Sequence, residues 1–186
     1  MKKILFLLFV IFFNYSAKCS HLMGGEIVVQ NDQVGNYEIL LTLYRDITGI
    51  NLPNVQTMEV YDSNGGLVTT IISNLDSTAY HSVYGIQNGS LLPNNCYGTE
   101  IFFYKANFPC FTPGNYTVTW NNCCRNPTVV NIPNPGSISM FLKCDFTVDL
   151  TTTTSTPFFL SPPIVCVPVN SQWQYNPLPF DSESDS

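Results

Sequence analysis

Alternation of apolar and polar positions dominates this chain. From Ile138 to Leu150 every second residue is apolar or cysteine: Met140, Leu142, Cys144, Phe146, Val148 and Leu150, with mostly polar residues between them. A period of two places one face of a strand in a core and the other in water. Runs of β-branched and aromatic residues over Glu26–Gln30 and Tyr37–Tyr44 predict two more strands, with Gln33-Val34-Gly35-Asn36 as the turn. Thr57–Tyr61 and Leu67–Ile72 predict a hairpin across Asp62-Ser63-Asn64-Gly65-Gly66, because Asn-Gly tolerates the positive φ of tight hairpin turns. Further strands are expected at Glu100–Tyr104, Asn115–Trp120 and Pro157–Leu160.

Beyond the first residues no helical stripe appears. Thirteen prolines and eleven glycines punctuate the chain at strand-length intervals, as in β-sandwiches. The expectation is an all-β, disulfide-stapled antiparallel β-sandwich over residues 20–160. Thr151–Thr156, a low-complexity run, is read as a linker. Ser161-Pro162-Pro163 marks a boundary, so residues 161–186 are read as a linker and the truncated start of a second β-repeat.

The N-terminus breaks the pattern. Met1-Lys2-Lys3, the apolar run Ile4–Phe13 and polar Asn14-Tyr15-Ser16 have the layout of a secretory signal peptide, and the apolar run is too short to span a bilayer comfortably. Small residues at Ala17 and Cys19 place cleavage before Ser20. Lys18 is a poor neighbour for a lipidated cysteine, which disfavours lipidation at Cys19. Residues 1–19 are thus assigned to export, with no transmembrane segment after cleavage. Cleavage leaves four basic residues (Arg45, Lys105, Arg125, Lys143) against thirteen acidic ones, a net charge of −9 (4 − 13). With no basic surface to neutralise phosphates, a nucleic-acid partner is not expected.

Cleavage also makes the cysteine count even. Cys96, Cys110, Cys123, Cys124, Cys144 and Cys166 remain, and an even number in an exported chain argues for disulfides. Successive residues on a strand point to opposite faces, so Cys123 and Cys124 are expected to bond different partners, a two-way staple. No C-x-x-C occurs, and the histidines are His21 and His81, so the spacing carries no zinc signature.

Candidate catalytic chemistry is thin. Neither histidine lies in a context that would serve a nucleophile, and no carboxylate pair stands out. No enzyme activity and no resident cofactor are expected. Asp181, Glu183 and Asp185 set acidic oxygens at alternate positions, a pattern that could ligate Ca²⁺ weakly if the loop curled around it. A solvated acidic tail is the simpler account. Arg125 reads as a structural arginine whose fork ties down loop carbonyls or a carboxylate such as Asp46. Tyr104, Phe108 and Phe111 are read as core, with a glycan or protein contact surface as the alternative.

Two segments carry a resemblance. Ser20-His21-Leu22-Met23-Gly24-Gly25-Glu26-Ile27, leading to Leu43-Tyr44-Arg45-Asp46, is the first. Tyr116–Trp120 running into Cys123-Cys124-Arg125-Asn126, with Asn131, Asn134 and Gly136 downstream, is the second. Together they resemble the N-terminal region of large secreted Bacteroidetes surface proteins of the gliding-motility-associated, type IX sorting-domain kind, which often carry PKD- or cadherin-like repeats. The closing Phe180–Ser186 resembles the entry to such a repeat, although Glu183-Ser184 stands where Asp-Gly is usual and Ile47 where a cysteine often follows the Arg-Asp pair. The resemblance implies Arg45, Asp46, Arg125 and Asn126 as motif residues, and a place at the cell surface or outside the cell. The expected function is a non-catalytic, adhesin-like domain, structural or ligand-binding, with a glycan or surface protein as partner. The alternatives are a secreted carbohydrate-active or proteolytic accessory protein, or a truncated remnant.

Overall fold

A computed structural model describes residues 22–47, 49–81, 99–127, 129, 132–161, 170, 172, 174–181 and 183. The expected signal peptide, Cys96, Cys166 and Asp185 lie outside these residues. Seven strands form one antiparallel sheet: β1 (Leu22–Gln33), β2 (Asn36–Asp46), β3 (Val55–Asp62), β4 (Leu67–His81), β5 (Thr99–Pro109), β6 (Gly114–Asn122) and β7 (Met140–Val148). Their order across the sheet is β1-β2-β5-β4-β3-β6-β7. The outermost strands β1 and β7 also pack together, with the Leu142 side chain against Gly25. The sheet is therefore a nearly closed barrel, and the expected sandwich of two sheets is corrected.

The reason for closure lies in the stagger of the strands. β4 pairs with β3 through Leu67–Asn74 and with β5 through Asn74–His81, so its two halves serve different neighbours. A register shift between Leu75 and Ser77 marks the change. β3 in turn meets β6 only over Glu59–Asp62. Offsets of this kind tilt the strands and coil the sheet until its edges meet.

The alternation read from the sequence fixes what faces inward. Tyr37, Ile39, Leu41 and Leu43 on β2 are wholly buried, as are Tyr104 on β5, Met58 and Val60 on β3, and Val118 on β6. Trp120 fills the interior beside them. Two tight turns follow the expected chemistry. Gly35 (φ 80°) turns β1 into β2. In the β3–β4 turn only Gly65 of the Asn-Gly pair takes positive φ (79°), while the Asp62 carboxylate accepts hydrogen bonds from the Asn64 and Gly66 amides, both at 2.8 Å.

Thr151–Thr156 is not a free linker. The Val29 amide donates to Thr156 Oγ1 (2.9 Å), the Thr156 amide donates to the Val29 carbonyl (2.8 Å), and the Asn31 amide donates to Ser155 Oγ (3.1 Å). On the other side Thr154 Oγ1 donates to the Thr147 carbonyl of β7 at 3.4 Å. The run is a strap laid along the seam between β1 and β7. Beyond it, in place of the expected opening of a second repeat, β8 (Phe158–Phe159) pairs with β9 (Pro179–Phe180) in a separate two-stranded sheet. The Phe158 and Phe180 rings meet edge to face, 5.4 Å between centroids.

Candidate functional site

The sequence motifs converge at one end of the barrel. Arg45 continues the inward row of β2 beyond Leu43, and Glu100 begins the inward row of β5 before Phe102. The two are direct cross-strand partners and form an ion pair, with side chains only 5% and 8% exposed. Arg45 Nη1 also donates to the Gly49 carbonyl at 2.5 Å, and the guanidinium lies over the Phe102 ring, 5.6 Å from its centroid. A buried pair of this kind holds only as far as its own contacts replace water, and here the buried Arg45 Nε has no hydrogen-bond partner among the described residues. Asp46, also buried, accepts a 3.4 Å hydrogen bond from Asn126 Nδ2. The Asn126 amide donates to the Leu22 carbonyl (3.0 Å), and Leu22 and Arg125 form a parallel bridge. The start of β1, the end of β2 and the segment after β6 are thus tied in one polar closure.

Sequence reasoning named Arg45, Asp46, Arg125 and Asn126 but missed Glu100. The signal was present: Glu100 is the one charged residue in phase with Phe102, Tyr104, Ala106 and Phe108, and Arg45 holds the matching phase on β2. It also missed Gln56, buried on β3. Its Oε1 accepts from the Trp120 indole (3.1 Å), and its Nε2 donates to the Tyr104 hydroxyl (3.5 Å). The Tyr104 hydroxyl donates to the Pro53 carbonyl at 2.8 Å.

The cysteines require a correction. Cys123 and Cys124 bond to each other across a cis peptide, while Cys110 and Cys144 are free thiols. β6 ends at Asn122, so the double cysteine lies past the strand and the opposite-face argument does not apply to it. A bridge between neighbours closes no chain loop and staples no strands together. Burial pushes the Cys144 thiol up from its ordinary range, against a hydrogen bond from Thr156 that lowers it.

The opposite end of the barrel is aromatic. Phe146 packs at 5.8 Å from both Tyr37 and Tyr116 and edge to face with Phe108 at 6.1 Å. Tyr104 and Phe108 are core as read, whereas Phe111 is exposed. Burial first, and the neighbouring Cys110 thiol second, push the Tyr116 hydroxyl up to about 12.

Among the described residues, two concave areas on the barrel's outer surface stand out. One, of about 440 Å³, crosses β3, β6 and β7 and is lined by Thr57, Glu59, Tyr61, Thr119, Asn121 and Phe141. The other, of about 390 Å³, lies over β1, β2, β4 and β5 and is walled in part by Phe158 and Phe159. In it Glu26 accepts a 2.9 Å hydrogen bond from the Tyr44 hydroxyl, and burial raises the Glu26 carboxyl above its usual range.

Among the described residues, no three or more His, Cys, Asp or Glu side chains gather as a metal site. Asp181 accepts from the Glu183 amide (3.0 Å), and Glu183 accepts from the Ser155 amide (3.3 Å). No helix among the described residues is long and apolar enough to cross a membrane. No family model, curated protein or solved structure matches the chain.

Proposed function

We propose that this chain is a non-catalytic β-domain of an exported, adhesin-like protein of the secreted Bacteroidetes surface class, acting as a rigid scaffold that presents its outer sheet to a ligand. One observation supports the reading above others. The segments that carry the resemblance meet at a single place, where Leu22, Asp46 and Asn126 are linked by hydrogen bonds beside the Arg45–Glu100 pair. The side chains most suited to chemistry are there buried and paired, so they close a barrel and leave reactive groups out of solvent.

The test is to express the full chain with its leader, sequence the N-terminus of the exported product, and incubate that product with polysaccharide and peptide panels. The expected outcome is a product beginning at Ser20 that turns over nothing. Turnover that survives purification and disappears on substitution of one acidic residue would overturn the proposal, as would retention of the chain inside the cell.

A further inference from the structure

We infer that the outer groove across β3, β6 and β7 is a recognition site for a neutral saccharide; the inference rests on the ligand-presenting reading above and gives it a ligand class. The groove is built on cross-strand rungs. Asn121 and Phe141 are direct partners between β6 and β7, and Thr119 and Glu59 are direct partners between β6 and β3. The next rung pairs Thr117 with Tyr61. Strands lie about 4.8 Å apart and alternate residues on one strand about 6.8 Å apart, so the mesh of this floor is the size of a sugar ring. The concavity of about 440 Å³ falls within the usual volume of small-ligand sites.

The chemistry of the rungs selects the ligand. Phe141 is 56% exposed on a strand face whose next outward positions are Lys143, Asp145 and Thr147. A single exposed phenylalanine means nothing alone. Here it stands at one end of a concave floor, Tyr61 stands toward the other, and hydroxyls, an amide and a carboxylate lie between them. Flat apolar rings suit the C–H face of a pyranose. Between them, Asn121 supplies both donor and acceptor, Thr57 and Thr119 supply hydroxyls, and Glu59 accepts. The Tyr61 hydroxyl already donates to Glu59 at 2.6 Å, which holds the carboxylate in place and leaves lone pairs for a ligand's hydroxyls.

Other occupants fit less well. A polyanion would face Glu59 on a chain of net negative charge. An apolar peptide would cover the carboxylate and amide without pairing them. An extended peptide that adds a strand needs a sheet edge, and at the rungs Glu59–Thr119 and Tyr61–Thr117 this groove lies on a sheet face, where β3 and β6 are paired with each other and with β4 and β7.

The experiment titrates the exported chain with cellobiose, maltose, lactose, mannobiose and chitobiose, followed by calorimetry and by NMR shifts of an isotope-labelled sample. The expected result is saturable binding of at least one disaccharide, with shifts centred on Asn121 and Phe141. Phe141→Ala and Glu59→Gln should each weaken it at least about tenfold while leaving the thermal midpoint unchanged, as expected for exposed positions. Glu26→Gln, in the second concavity, should leave the affinity unchanged. Failure of all five sugars to bind, affinity indifferent to Phe141→Ala, or shifts centred on Glu26 would overturn the groove assignment and leave the scaffold reading intact. Hydrolysis of any of them would overturn the scaffold reading itself.

Discussion

The two ends of the barrel are plugged by opposite chemistries. At one end Tyr37, Phe108, Tyr116 and Phe146 pack ring against ring, above short turns such as the Gly35 hairpin and the four-residue link between β5 and β6. At the other, the inward rows finish in Arg45 and Glu100, with Asp46 and Asn126 beside them. Tight turns leave little chain over the aromatic end, so bulky side chains seal it. The polar end is where β2, β5, β6 and β1 must be brought into register with a segment that belongs to no strand. An apolar plug stabilises by area alone, whereas a paired plug also distinguishes right partners from wrong ones.

The largest effects should come from single deletions at either end, and their rescue should differ. Phe146→Ala is expected to cost about 3–5 kcal/mol in denaturant unfolding, and Phe146→Leu to recover most of it. Glu100→Ala should cost about 3–5 kcal/mol, because it leaves the Arg45 charge buried. Adding Arg45→Met to that variant should restore stability to near the parent level. If the double variant is as unstable as the single, the polar end does more than balance its own charges.

Asn126→Ala comes next, at about 1–3 kcal/mol, since it removes a donor from a buried carboxylate. A loss below a few tenths would show that Asp46 holds without it.

The aromatic end should also respond to alkali. The Tyr116 hydroxyl is raised in the fold to about 12 from an unfolded value of 10.0, so the folded state binds its proton more tightly. That contribution is whole below pH 10 and is lost as pH rises towards 12. Tyr116→Phe should flatten the fall in thermal midpoint over that interval, and an unchanged profile would refute the assignment.

The smallest effect is expected where the sequence was most conspicuous. Replacing Cys123 and Cys124 together by serine should change stability by less than about 1 kcal/mol, far below the 2–5 kcal/mol typical of a bridge that closes a long loop. A larger loss in non-reducing unfolding would mean that the bonded pair orients the Arg125–Leu22 bridge.

Strands, turns and inward phase were legible because each is local: Met140, Phe146 and Val148 declare their face within a few residues. Closure was not. It depends on which half of β4 meets which neighbour, and that register is set between residues far apart in the chain. The double cysteine misled because strand alternation was extended two residues past Asn122. Glu100 was readable only together with Arg45, since a lone glutamate in a strand run says nothing until its phase is matched across the sheet. The outer groove joins three strands whose adjacency no local pattern announces.

The Thr151–Thr156 strap has a consequence for crowded surroundings. Unpaired amides and carbonyls along the outermost strand of a sheet invite the strand of a neighbouring molecule. Here Val29 and Asn31 of β1 already spend those groups on hydroxyls and an amide of the chain's own strap. A protein displayed in many copies side by side would in this way keep its sheets to itself.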